Sequence, residues 1–212
     1  MTENPPLPAG GEAPATKRLL HVGCGPNTKA VLKGFAGADW QEIRLDIDPG
    51  VAPDIEGTLT DLGRVDSGSI DALYSSHNLE HLYAHEVPVA LREFHRVLRD
   101  DGIAIITCPD LQSIGAALAK DLLLEPLYAS AQGPISAIDM LYGHRALLAA
   151  GNAFMAHRCG FTYSVLQKVL FEAGFRHAFG GRREQAYDLW VVAFKSALDD
   201  SLARQIAVNY LP

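Results

Sequence analysis

A chain of 212 residues with 48% hydrophobic content fills one full core and is too short for two comfortable enzyme domains. Its 18 Lys and Arg against 25 Asp and Glu give a formal charge of −7, and the basic residues are scattered, which argues against a nucleic-acid partner. No apolar run approaches the roughly 20 residues that span a bilayer, no basic and apolar leader opens the chain, and Cys24, Cys108 and Cys159 form no Cys-X-X-Cys pair, so a cytoplasmic protein with free thiols is expected.

Residues 1–16 carry four prolines and almost no bulky apolar side chain, which predicts a disordered tail ahead of a single domain over 17–212. From Arg18 onward, short β-type runs alternate with helical patterns, as in crossovers that build a parallel sheet. The predicted strands are 18–23, 42–47, 54–56, 70–75 and 102–107. Between the last two, Glu86 to Leu98 places Val87, Leu91, Phe94 and Leu98 on one helical face, with Pro88 in the first turn and Asp100-Asp101-Gly102 closing the helix. The Leu- and Ala-rich stretch from 110 to 160 shows no strand signal and predicts helices at about 111–124 and 135–150. Its position after a strand C-terminus makes it a helical substrate cover over about 111–160. A helix over 162–173 stops at Gly174, and runs 175–180 and 187–194, joined through Gly180-Gly181 and a polar stretch, read as an antiparallel hairpin. The fold class is therefore α/β, a Rossmann-like doubly wound sheet, mostly parallel, ending in that hairpin.

The most informative stretch is Arg18 to Thr28, where a short apolar run breaks into Gly23-Cys24-Gly25. Glycines there allow a tight turn and close approach of backbone to a ligand. Asp46 follows 21 residues after Gly25, where a carboxylate at a strand end accepts hydrogen bonds from ribose hydroxyls. Asp48 lies on the same face and is the alternative; Asp46 is preferred as nearer the strand end. A dinucleotide site would carry a third glycine where Thr28 stands.

The ordered series Leu20-His-Val-Gly-Cys-Gly25, Arg44-Leu-Asp-Ile-Asp-Pro49, Thr60-Asp-Leu62, Ser69 to Leu82 and Leu91 to Gly102 resembles that of class I S-adenosylmethionine-dependent methyltransferases. Within them it is similar to small bacterial proteins whose fifth strand ends as in Pro109-Asp110-Leu111. The resemblance covers residues 17 to 111, and Tyr142-Gly-His144, His157 to Thr162 and Glu172 to Phe175 extend it to about 195. It implies the class I methyltransferase fold with S-adenosyl-L-methionine as cofactor. Gly23, Cys24 and Gly25 would pass beside the methionine and ribose, Asp46 would hold the ribose and Ile47 would pack on adenine. Asp61 would contact the adenine amino group with the Leu62 N–H nearby, and Ser76 and His77 would lie near the sulfonium. The sequence departs from the family at Thr58, where an acidic residue is common, and at Asp100-Asp101-Gly102, which replaces Pro-Gly-Gly.

Methyl transfer needs alignment and, for some acceptors, a base. The candidate bases are His77, Asp110, His144 and His157, and the expected acceptor is a small molecule or a cell-envelope intermediate. A non-catalytic cofactor-binding regulator and an NAD-dependent oxidoreductase are the alternatives, although the second lacks a catalytic set. His77-Asn-Leu-Glu80-His81 matches the His-X-X-Glu-His pattern of inverted zinc peptidases. Methyltransferases of this type carry a similar His- and Glu-rich turn there, so no metal ligands are assigned. Cys108-Pro109 reverses the Pro-Cys order of cytosine-5 methyltransferases, and Ser75-Ser76-His77-Asn78 replaces the signature of base-amino methylation. Whether the chain forms a homo-oligomer is left open.

Overall fold

Leu19, Leu20 and Val22 are fully buried, so the run Lys17–Val22 carries apolar side chains on both faces, as the central strand of a parallel sheet requires. This strand, β1, was located in a computed structural model that describes residues 16–130 and 132–212; the predicted tail falls almost wholly outside the described residues. In chain order there follow β2 (Trp40–Asp46), β3 (Ile55–Glu56), β4 (Ile70–Ser76), α1 (Val87–Val97), β5 (Leu98–Pro109), α2 (Leu111–Leu118), β6 (Pro126–Ser130), β7 (Gly133–Ser136), α3 (Ala137–Tyr142), α4 (Arg145–Ala149), α5 (Tyr163–Glu172), β8 (His177–Arg183), β9 (Asp188–Phe194) and α6 (Asp200–Ala207).

Seven strands form one sheet in the order β3-β2-β1-β4-β5-β9-β8, in which β9 alone runs against the rest. β1 lies between β2 and β4, so the strand order reverses there and a crevice opens at their C-terminal ends. Alternation along the strands feeds two cores. Leu20, Val22, Leu73 and Ile106 meet Leu91 and Phe94 of α1 and Leu166 and Leu170 of α5, whereas Leu19, Tyr74 and Ile105 meet Phe35, Trp40 and Ala203 and Ala207 of α6. Among the described residues no helix is long and apolar enough to cross a membrane.

Four local expectations are corrected. The crossovers from β1 through β4 contain no α-helix; the first holds only a single 3-10 turn, Lys29–Val31. Gly34, with φ +85°, interrupts that segment, and Tyr210 beyond α6 packs where a Cβ on Gly34 would lie. The C-terminus thus covers the face that a first crossover helix would cover. β5 starts at Leu98, so Asp100 to Gly102 lie inside the strand beside a register shift between Ile70 and Ala72. Gly180 and Gly181 lie within β8, where the carbonyl of Trp190 comes within 2.0 Å of an added Cβ on Gly180, and the hairpin turns instead before Asp188.

The fourth correction is the ribbon of β6 and β7 in the segment expected to be helical. Pro126 and Pro134 hid it, since proline is excluded from central strands but tolerated in a two-stranded ribbon that has only edges. The expected helix at 135–150 is broken at Gly143 into α3 and α4. These pieces build a small core of their own from Ile114, Ile135, Ala137 and Met140.

Asp139 ties this subunit of structure together, accepting from the N–H of Ser136 at 3.0 Å and from Arg145 Nε at 2.7 Å. Burial alone would raise its carboxyl, but the Arg145 guanidinium and the backbone donors hold it down at about 2. A depressed folded-state value stabilises above the unfolded value near 4 and is lost as pH falls through about 2. Asp139→Asn is therefore expected to cost about 1–2 kcal/mol at neutral pH, less than the full shift implies because Arg145 is half in solvent. Urea unfolding of both proteins checks this: the gap should close between about pH 4 and pH 2, and a gap constant with pH would contradict it.

Candidate functional site

The pocket begins where β1 ends. Gly23 and Gly25 have φ of +58° and +52°, a left-handed conformation that costs an L side chain about 1–2 kcal/mol. A Cβ on Gly23 would sit 2.0 Å from Asn78 Oδ1, whereas nothing lies within 4 Å of that position on Gly25, so the second glycine leaves open space over the backbone. Asn78 holds this arrangement by donating to the carbonyls of Val22 and Ser76, both at 3.0 Å. Cys24 is buried, and burial pushes its thiol up to about 11, which makes it a packing residue.

Asp46 closes the second side. Its carboxylate accepts from the N–H of Gly25 at 2.7 Å and of Asp48 at 2.9 Å, linking the ends of β1 and β2. Asp48 caps the turn Pro49–Val51 by accepting from Gly50 N–H. Arg44, which the sequence reading missed, donates to the carbonyls of Gly25, Asn27, Val51 and Ala52 and so clamps together two loops that line the pocket. Four carbonyl partners on one guanidinium are a tertiary feature with no sequence signature.

These loops surround a cavity of about 480 Å³. Gly23, Cys24, Gly25, Asp46, Ile47, Ser76 and His77 all line it, as do Gly57 to Thr60. Asp61 and Leu62 do not. Leu62 is 1% exposed and its N–H donates to Glu93 at 2.9 Å, while Asp61 accepts from Gly63 N–H. Thr58, Leu59 and Thr60 form the wall at which the resemblance places Asp61 and Leu62. The far wall is Asn152, Phe154, Met155 and Arg158, the last stretch of the expected cover segment. A groove of similar volume on α5, lined by Ser164, Gln167, Lys168, Phe171 and Glu172, is far more open.

Of the four candidate bases only His77 lines the cavity. It follows β4 with φ +53°, its N–H donates to the Thr107 carbonyl at 2.9 Å, and its Nδ1 lies 3.3 Å from Glu80 Oε1. Desolvation lowers its affinity for a proton, but the Glu80 carboxylate more than offsets this and the net direction is up. Asp110 is fully buried, caps α2 through the N–H groups of Gln112 and Ser113, and pairs with Arg182 at 2.7 Å. His144 caps α4 through Leu147 N–H. His157 donates from Nδ1 to the Met140 carbonyl at 2.8 Å and lies against His81, with ring centroids 4.9 Å apart. Asp110 and His144 thus hold helices in place.

Gly143 governs how the far wall is placed. With φ +101° it pairs with Ala156, and a Cβ there would lie 2.0 Å from the Met155 carbonyl oxygen. Gly143→Ala is therefore expected to cost about 2–4 kcal/mol and to displace residues 152–158. Its melting temperature, together with limited proteolysis of that segment, checks this; a variant as stable and as protected as the parent would contradict it.

Residues 20–106 match the family model described as a methyltransferase domain. Over that stretch, 87 of the 212 residues, the chain is similar to a methyltransferase domain. No curated protein matches this chain. Solved structures similar to it include a protein of Bordetella parapertussis described as a possible exported protein, at 17% identity over 86% of this chain and 63% of that one, TM-score 0.58. The CMeT domain of the citrinin polyketide synthase is similar at 16% identity over 87% of this chain and 48% of that one, TM-score 0.56. An S-adenosylmethionine-dependent methyltransferase of Mesorhizobium loti is similar at 18% identity over 84% of this chain and 91% of that one, TM-score 0.52. The chain spans less than two thirds of the length of the first two. At these identities the likeness is one of fold, and the chemistry rests on the pocket.

The pocket residues fit the cofactor of this class. An open cradle over Gly25 admits a ligand backbone-close, a carboxylate at the β2 end offers acceptor lone pairs, and Ile47, 42% exposed, presents an apolar surface beside it. Between Gly25 and β2 there is no α-helix, so no helix N-terminus stands there to receive a pyrophosphate.

Proposed function

We propose that this chain is an S-adenosylmethionine-dependent methyltransferase of the cytoplasm, acting on a small molecule or a cell-envelope intermediate small enough to enter its pocket. The observation that carries this reading is the continuity of one cavity from the Gly23, Gly25 and Asp46 cradle to the wall of Asn152, Phe154, Met155 and Arg158. When bound, the cofactor supplies an electrophilic methyl group on a sulfonium. Asp46 accepts hydrogen bonds from the ribose, Ile47 and the 57–60 turn enclose the adenine, and Gly23 to Gly25 pass beside the amino acid portion. Phe154, 53% exposed, offers an apolar platform to the acceptor, while Arg158 offers a donor fork.

His77 is assigned to take the acceptor's proton. Its Nδ1 faces the Glu80 carboxylate at 3.3 Å, which leaves Nε2 as the uncommitted ring nitrogen at the cavity wall. The Cys24 thiol at the cavity wall is pushed up to about 11 by burial, which fits an alignment mechanism without a covalent nucleophile. Incubation of the full chain with methyl-labelled S-adenosylmethionine and a metabolite extract tests the reading: label should pass to a small molecule. His77→Asn is expected to lower kcat by about 100-fold or more while leaving S-adenosylhomocysteine binding within about 3-fold. Binding without label transfer to any acceptor would favour the regulator reading, and equal kcat in the variant would remove His77 from the reaction.

A further inference from the structure

The turn after β4 contains a buried carboxylate whose environment the pairing with His77 does not account for. Glu80 is 1% exposed, yet neither carboxylate oxygen has a hydrogen-bond partner. Its one charged contact is the 3.3 Å approach to His77, whose geometry is not that of a hydrogen bond. A buried carboxylate left this way costs several kcal/mol unless a cation meets it. Two imidazoles converge on the same place, and one ligand atom from each of Glu80, His81 and His157 lies within 4.8 Å of the others.

The ring tautomers favour metal binding. A carbonyl oxygen can only accept, so the contacts of His81 Nδ1 with the Ala156 carbonyl at 3.1 Å and of His157 Nδ1 with the Met140 carbonyl at 2.8 Å place the proton on Nδ1 in each ring. Each Nε2 then carries a free lone pair, held by the backbone-carbonyl contact that orients histidine ligands in metal sites. The two halves of the cluster are also fixed to one another. The Glu80 carbonyl accepts from the N–H groups of Arg158 and Cys159, Arg158 donates to the His81 carbonyl at 2.7 Å, and His157 N–H donates to Tyr142.

We propose that Glu80, His81 and His157 form a three-ligand site for one divalent first-row transition ion, with zinc the best match to the donor set, at the acceptor end of the pocket. Zinc ligands lie about 2.0–2.2 Å from the ion at near-tetrahedral angles and so about 3.4 Å apart, which asks the cluster to tighten by up to about 1.4 Å. Two nitrogens and one carboxylate oxygen suit zinc over calcium or magnesium, which take oxygen ligands. Three protein ligands leave a coordination position open, and His81 is the ligand that lines the cavity. The sequence pattern His77 to His81 supplied two of the ligands, and His157, 76 residues farther on, completes the set only in the fold.

The site is independent of the proposed reaction, because metal binding is read directly. Tag-free full chain, stripped with a chelator, is titrated calorimetrically with Zn²⁺ and separately with Mg²⁺. Zn²⁺ should bind at about one equivalent and raise the melting temperature, Mg²⁺ should do neither, and Co²⁺ should give a visible d–d band. His157→Asn and Glu80→Gln should each weaken Zn²⁺ binding at least ~100-fold, with S-adenosylhomocysteine binding retained as proof of folding, whereas His144→Asn should bind Zn²⁺ as the parent does. Absence of a Zn²⁺ isotherm in the parent, or one that survives unchanged in folded His157→Asn, overturns the proposal whatever the outcome for methyl transfer.

Discussion

Asp46→Ala is expected to weaken S-adenosylhomocysteine binding at least ~100-fold, the largest effect of any single substitution in the pocket. Two losses combine. The carboxylate that meets the ribose disappears, and hydrogen bonds to a charged group contribute about 1.5–3 kcal/mol each. The N–H groups of Gly25 and Asp48, now held at 2.7 and 2.9 Å, also lose their acceptor, which frees the cradle from the end of β2. About 3 kcal/mol corresponds to a factor of roughly 100 in Kd. Asp46→Asn keeps one acceptor oxygen and should fall between the two. Calorimetric titration of the three proteins checks the order; an affinity within about 3-fold of the parent for Asp46→Ala would remove Asp46 from the ribose site.

Gly23→Ala should have the second largest effect, a loss of about 2–4 kcal/mol of stability together with the cradle. The added methyl enters a left-handed residue and meets Asn78 Oδ1 at 2.0 Å, so Asn78 must leave the carbonyls of Val22 and Ser76. The clash names its own suppressor. Asn78→Ala alone should destabilise by losing those hydrogen bonds, yet the double variant should be more stable than the sum of the two losses by about 1 kcal/mol or more. Additive losses in urea unfolding would mean that Asn78 does not press on Gly23.

The parts of the fold set by hydrophobic pattern were the most legible. The five parallel strands and α1 lie within a few residues of their expected positions, because Leu19-Leu20 and the stripe of Val87, Leu91 and Phe94 carry strong periodic signals. What failed was local chemistry overridden by tertiary contact. Pro126 and Pro134 read as loop but sit in a ribbon, Gly180 reads as a turn but permits the close approach of β9, and the first crossover lost its helix to α6 and Tyr210. The cradle was legible because Gly23, Gly25 and Asp46 carry it at fixed spacing. Arg44, Asn78 and the 152–158 wall were not, since each acts on backbone brought to it from elsewhere. The same holds for Glu80, whose neighbours His81 and His157 are near each other only in three dimensions.

A crystal structure of the full chain with S-adenosylhomocysteine tests the central claim most directly. The ribose hydroxyls should lie within hydrogen-bond distance of Asp46, the adenine between Ile47 and the 57–60 turn, and the sulfur facing Ser76 and His77. A ligand bound outside this cavity, or one in it with its ribose more than about 3.5 Å from Asp46, would contradict it.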